Sequence, residues 1–276
     1  MKTPSSSSAR TFGPAFVRAY PTLLRVGFAG AVAYRAEMLV WMLTMTMPLV
    51  SLALWSAVAR SAPVGRFGQR EFATYFLATI VVRQLTGSWV VWELIQEIKT
   101  GTLASRLLKP IHPFVAYSAE NLAAIPLRAL ISIPFAVIGL ASGGAHVPHG
   151  VLSIGALLLS LFGAWLITFF VMAMIGIMSF FIESSSSIFE VWFACFMLLS
   201  GYLFPLELFP GWANTLTSVL PFRYMLGFPV EILIGAADPG ELARGLAVQW
   251  SYVLVCTVVA LAFWRVGVRR FGAFGG

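Results

Sequence analysis

Charged residues are scarce in this chain. Asp, Glu, Lys and Arg together make up 11% of its 276 residues, where a soluble domain carries roughly 25% to keep its surface solvated. That scarcity excludes a water-soluble globule. Lysine occurs only at Lys2, Lys99 and Lys109, and none of the three follows a glycine. A P-loop needs Gly-Lys-Ser/Thr to wrap phosphates and hold magnesium, so this chain cannot bind ATP by that route. The two cysteines, Cys195 and Cys256, lie inside apolar runs and read as small core hydrophobes rather than a disulfide framework. His146 and His149 have Pro148 between them and no third ligand in view, so no metal site is expected there. Ser184 to Ser187 have no histidine nearby in sequence and read as a turn, not a nucleophile. No set of polar groups at matching depth points to an intramembrane enzyme.

What the chain does have is apolar length. Hydrophobic residues make up 59% of it and the mean hydropathy is +0.87. The solvent for such a fold is lipid. A hydrocarbon core roughly 30 Å thick takes about 20 residues of helix at about 1.5 Å each, which leaves room for about six transmembrane helices in one all-α domain. The first long apolar run begins near Met38, too far in and too long for a cleaved signal core. Residues 1–11 are polar and Ser-rich, an expected disordered tail, and residues 12–276 form the single expected membrane domain. Over 12–35, Arg18 and Arg25 share one face opposite an apolar stripe that includes Phe16, Tyr20 and Leu23. Such a basic amphipathic helix lies in the membrane interface; an extended stalk is the other reading.

Spans are expected at about 37–59, 72–91, 116–141, 151–181, 188–204 and 246–264. Between the second and third, over 92–113, charge returns at Glu93, Glu97, Lys99, Arg106 and Lys109, interleaved with Leu94, Ile98, Leu103 and Leu107. The spacing predicts a short amphipathic helix, a break at Gly101 and a second helical turn stopped by Pro110. The segment is too charged to enter lipid and must project from it, either as a working surface or as a plain solvated loop. Before the last span, residues 205–240 carry Pro205, Pro210, Pro221, Pro229 and Pro239. Their apolar pieces are too short to cross and read as re-entrant or interfacial helices.

With the amino end inside, the inner segments hold eleven basic residues (Lys2, Arg10, Arg18, Arg25, Arg35, Lys99, Arg106, Lys109, Arg265, Arg269, Arg270) and the outer segments five (Arg60, Arg66, Arg70, Arg223, Arg244). This asymmetry predicts cytoplasmic termini and a cytoplasmic 92–113 excursion. It also accounts for the net charge of +7 without nucleic acid as a partner. Arg83 and Arg128 fall within spans, and Glu120, Glu183 and Glu190 within them or at their edges. A charge at the bilayer centre costs at least about 2.5–3.5 kcal/mol, so both arginines are expected to face the bundle interior or a partner chain. For Arg83 a polar lining of a substrate path and a purely structural contact fit equally, and Glu190 is a further candidate for the path or for an intramembrane polar contact. For Arg128 the polar start of its span at Glu120 and Asn121 favours the structural role.

The stretch LLSGYLFPLELFPGWANTLTSVLPFRYMLGFPVEIL resembles the signature region of ABC-2 type transporter permeases, carried here by Ser200, Gly201, Pro205, Phe209, Pro210, Trp212, Leu220, Pro221 and Phe222. YRAEMLVW near the start and EIKTGTLASRLLKPIHP after the second span are similar to one six-span branch of that family. The intramembrane Arg83 has no counterpart in the pattern. The resemblance implies a prokaryotic inner-membrane subunit that exports an amphiphilic compound, drug or lipid-linked substrate. It implies a non-enzymatic chain without cofactors of its own, a separate ATPase binding ATP and magnesium, and a second permease chain in a homodimer or heterodimer. It also implies that 92–113 is the coupling segment, with Glu93, Glu97, Leu103, Arg106, Leu107 and Lys109 as its contacts to the ATPase. The rival class is a secondary transporter or channel without an ATPase. Such folds often show inverted repeats, and here the prolines cluster at the end of the fifth span with no mirrored half.

Overall fold

A computed structural model describes residues 14–33, 47–141, 150–236 and 239–274. The expected tail at 1–11, the YRAEMLVW motif, the first part of the 37–59 span, and His146 and His149 lie outside these residues. Within them the chain is helical throughout and forms no strand; one isolated bridge, Val64 with Phe67, closes a turn at Gly65. The helices are α1 (Pro14–Ala33), α2 (Met47–Val58), α3 (Gln69–Thr86), α4 (Val90–Thr100), α5 (Leu103–Leu107), α6 (Pro113–Ala123), α7 (Ile125–Ala141) and α8 (Val151–Ile177). They continue with α9 (Ser185–Leu199), α10 (Gly211–Val219), α11 (Pro221–Met225), α12 (Gly227–Leu233) and α13 (Pro239–Phe274).

Three stretches are long and apolar enough to cross a bilayer: Pro113–Gly139, made of α6 and α7, then Val151–Phe180, then Gly240–Phe271. Helices α2 and α9 are apolar but shorter; the 15 residues of α9 rise about 22 Å at about 1.5 Å each. Helix α3 is different again. Twelve of its 18 residues are buried, among them Thr74, Thr79, Gln84 and Thr86, and the hydroxyls of Thr79 and Thr86 turn back to the carbonyls of Tyr75 and Val82. A polar helix survives in such a place because its neighbours, not lipid, surround it. The expected 72–91 span is interrupted. Gly87 is extended (φ −65°, ψ 145°), α3 stops at Thr86, and α4 starts a new direction at Val90.

Helix α8 is the hub, packed along α13, α4, α11, α12 and α3; α3 also lies against α7 and α2, and α1 against α6. Two aromatic-rich cores flank this hub. One joins Phe72, Tyr75, Phe76, Phe196, Tyr202, Tyr224 and Phe228. The other joins Val90, Leu94, Leu103, Phe114, Tyr117, Trp165, Phe169 and Trp264. In lipid no hydrophobic force drives helices together, so small residues that permit close approach matter most. Gly176 of α8 shows this: a Cβ there would lie 2.7 Å from Leu94 Cβ of α4.

Candidate functional site

The second core is built around the hairpin of α4 and α5. Val90, Val91, Leu94 and Ile95 bury one face of α4, and the contact at Gly176 seats that face on α8. The start of α4 is held from the side. Asn121 Oδ1 accepts from the Ser88 hydroxyl at 3.0 Å and from the Trp89 N–H at 3.1 Å. Arg128 donates from Nη1 to the Gly87 carbonyl at 2.6 Å and from Nη2 to the Asn121 carbonyl at 2.7 Å. One guanidinium thus ties the break between α3 and α4 to α6 and α7. At the far end α4 stops at Gly101 (φ +74°), the left-handed conformation that glycine adopts without strain. Leu103, fully buried, anchors α5 in the same core. Pro113 then opens α6, with His112 Nδ1 accepting from the Phe114 N–H at 3.2 Å.

Above this apolar floor lies a cluster of charge. Arg106 donates from Nε to Glu97 Oε1 at 2.7 Å, from Nη1 to Glu120 Oε1 at 2.9 Å and from Nη2 to Glu120 Oε2 at 3.1 Å. Its guanidinium stands 4.3 Å from the centre of the Tyr117 ring, whose hydroxyl donates to Glu97 Oε2 at 2.6 Å. Burial alone would lower the Arg106 pKa; the hydrogen bonds and charge of Glu120, then the charges of Tyr117 and Glu97, more than reverse this and raise it. Arg106 therefore stays charged while it clasps α4 and α5 to α6. Glu93, one turn before Glu97, has a buried Oε2 with no hydrogen-bond partner among the described residues. Desolvation first, then the charges of Glu120 and Glu97 against the partial offset of Arg106, push its carboxyl up to about 7. Helix α1 covers the outside of α6: a Cβ on Gly27 would lie 3.0 Å from Ala123 Cβ and 3.1 Å from Glu120 Cα.

Of the expected coupling residues, the structure gathers Glu93, Glu97 and Arg106 into one cluster. It puts Leu103 in the core, leaves Leu107 half-buried against that core, and leaves Lys109 exposed. Two members of the cluster went unrecognised as such in the sequence, Tyr117 and Glu120. They lie across a proline-bounded turn from Arg106, where no helical spacing links them, although their own three-residue separation puts them on one face of α6. Leu108 was also missed. It is 86% exposed, and an apolar run gives no sign of which leucine faces out.

The charges expected within spans behave differently. Arg83 on α3 is 9% exposed and Arg128 on α7 is 2% exposed. The Arg83 guanidinium carbon lies 5.1 Å from the centre of the Phe196 ring, a contact worth about 0.5–2 kcal/mol that engages none of its N–H groups. Glu190 is exposed on α9 and forms no ion pair among the described residues.

The segment after α9 folds back on the bundle. Ser200 is fully buried. Gly201 (φ +88°) presents its carbonyl to the Tyr75 hydroxyl at 2.7 Å, and any Cβ at 201 would overlap that hydroxyl. Pro205 opens a 3-10 turn over Leu206–Leu208, Phe209 stacks edge-on against Phe204 at 4.9 Å, Pro210 precedes α10 and Pro221 begins α11. Helices α10 to α12 have nine, five and seven residues, each too short to cross. Gln249 of α13 holds the fold-back, donating from Nε2 to the Tyr224 carbonyl at 2.8 Å and to the Ser160 carbonyl of α8 at 3.0 Å. Arg223 pairs with Glu231 at 2.8 Å, and Arg66 with Glu207.

A sequence profile of the family described as "ABC-2 family transporter protein" matches residues 45–275. No curated protein matches the chain.

Proposed function

Because this chain belongs to the ABC-2 transporter family, a group of membrane transporter proteins whose permeases typically work with ATPase subunits, we propose that it is the transmembrane permease subunit of an ATP-driven exporter. In this reading the domain crosses the inner membrane of a prokaryote six times with both termini in the cytoplasm. A separate ATPase hydrolyses ATP with magnesium, and a second permease chain, identical or related, completes the path. The substrate is an amphiphilic compound, a drug or a lipid-linked molecule. The chain itself is not an enzyme and carries no cofactor.

The observation that carries this reading is the α4–α5 hairpin: a short, charged unit outside the apolar spans, yet welded to them at three points. Motion delivered to its tip reaches α8 through Leu94 and Gly176, α6 through the Arg106 clasp, and the α3–α4 break through Arg128. Rigid coupling of this kind turns closure of an ATPase dimer into tilting of helices. A soft loop would absorb it. The docking surface is the tip itself, with Leu108 and Lys109 exposed and flanked by exposed Gly101, Thr102, Ala104 and Ser105. Glu93 and Glu97 serve the hairpin from within, since their neighbours are Arg106, Tyr117 and Glu120.

The test is a double substitution at the tip, Leu108→Asp with Lys109→Glu, in the permease co-expressed with its partner ATPase. The expected result is loss of co-purification and of substrate-stimulated ATP turnover, with the thermal unfolding of the permease unchanged. Full retention of both would overturn the coupling role.

A further inference from the structure

We infer that Arg83, with Arg128 behind it, forms a membrane-embedded site for an oxyanion, taken here as a phosphate group such as the headgroup of an anionic amphiphile. Both guanidinium groups converge on the α3–α4 break: a Cβ on Gly87 would lie 3.5 Å from Nη1 of Arg83 and 3.5 Å from Nη1 of Arg128. Like charges gathered in this way repel each other and are far from water. The described ion pairs join Arg66 to Glu207, Arg106 to Glu97 and Glu120, and Arg223 to Glu231. No described carboxylate pairs with Arg83 or Arg128.

Their hydrogen bonding separates the two roles. Arg128 gives Nη1 and Nη2 to the Gly87 and Asn121 carbonyls and is a structural brace. Arg83 has five N–H groups to donate, and none meets an acceptor among the described residues; its Nε is buried and unpartnered. One face of its guanidinium is covered by Phe196, and the Tyr202 ring lies 6.0 Å from that of Phe196. The Tyr202 hydroxyl makes no hydrogen bond among the described residues and lies within electrostatic range of Arg83, which leaves its O–H available as a further donor. An apolar wall, a forked cation with free edges, a phenol and a second positive charge fit a tetrahedral oxyanion, which accepts several N–H and O–H donors at once. Arg83 keeps 9% of its surface exposed. The carboxylates outside the described residues are Glu37 and Asp238, and the sequence puts Glu37 at the start of a span. It is the competitor within the chain, and the test includes it.

This inference narrows the substrate class of the proposed exporter, but its readout needs neither ATP nor a partner. Purified full-length permease is titrated with inorganic phosphate in detergent, and separately reconstituted in nanodiscs of phosphatidylcholine with and without phosphatidylglycerol; thermal unfolding is followed in each. The expected result is stabilisation of the wild type by at least one of the two phosphate sources, with the apparent affinity falling at least tenfold in Arg83→Gln, partly restored in Arg83→Lys, and unchanged in the exposed-site control Arg244→Gln. Stabilisation by phosphatidylglycerol alone assigns the site to a lipid headgroup, and by phosphate alone to the free ion; either supports it. Equal stabilisation of wild type and Arg83→Gln would overturn it. So would no stabilisation in either arm, and so would stabilisation that emerges only in Glu37→Gln, because the chain would then fill the site with its own carboxylate. Loss of ATPase coupling in the tip variant would leave all these outcomes where they stand.

Discussion

Arg106 makes three hydrogen bonds to two carboxylates and covers an aromatic ring, so replacing it removes the clasp and leaves Glu93, Glu97 and Glu120 facing one another. Hydrogen bonds to charged partners contribute about 1.5–3 kcal/mol each in protected settings, less where water reaches them. Arg106→Gln should therefore lower the stability of hairpin docking by about 1–3 kcal/mol, read as faster amide exchange over residues 90–107, while residues 151–177 keep their protection. Uniform exchange across both regions would show that the clasp is not local. Glu93 gives a second prediction. Its carboxyl holds a proton more tightly in the folded hairpin (about 7) than in a solvated chain (4.5), so docking takes up a proton between those values and weakens as the pH rises through that window. Wild-type protection over residues 90–107, corrected for intrinsic rates, should fall between pH 5 and pH 8. In Glu93→Gln, which is neutral throughout, it should stay level; an equal fall in both would assign the titration to another group.

At the scale of elements, two glycines govern how helices meet. Gly176 lets α4 lie on α8 with Leu94 Cβ where a Cβ would stand. Gly176→Ala should push the hairpin from the bundle and uncouple ATP hydrolysis from transport while the complex still assembles; normal coupling would show that the contact does not transmit force. Gly201 combines a positive φ with a carbonyl held by Tyr75, and a side chain there is both strained and obstructed. Gly201→Ala should cost about 1–3 kcal/mol from the backbone alone, with a further loss from the overlap, seen as a lowered unfolding temperature in detergent. Tyr75→Phe, which removes only the hydrogen bond, should cost about 1 kcal/mol. If the two substitutions cost the same, the Ser-Gly pair is a sequence habit and not a packing requirement.

For the molecule as a whole, the topology makes the sharpest demand. Single cysteines placed at Lys99 and Lys109, in a background lacking Cys195 and Cys256, should react with membrane-impermeant maleimide only after the cell membrane is permeabilised; labelling in intact cells would end the coupling role. Much of the plan was readable beforehand. Lipid as the solvent followed from the missing charge, the helical break at Gly101 from its place between two amphipathic runs, and the short helices after α9 from their prolines. These signals are local: each depends on a residue and its near neighbours in the chain. The interruption at Gly87 was not readable as such, because Thr86, Gly87 and Ser88 are a weak local signal inside the expected span, and Asn121 and Arg128, from other helices, hold the break.

The same division runs through the charges. The sequence by itself determined that this is a helical membrane protein of the ABC-2 family and that Arg83 and Arg128 belong in its interior, because the cost of burying charge is written into composition. Only the tertiary structure decided that Arg106 is shared by Glu97 and Glu120, that Leu108 rather than Leu103 faces outward, and that Arg83 meets no carboxylate among the described residues. Those outcomes depend on distances between helices far apart in the chain, and spacing along a sequence carries no measure of separation across a bundle.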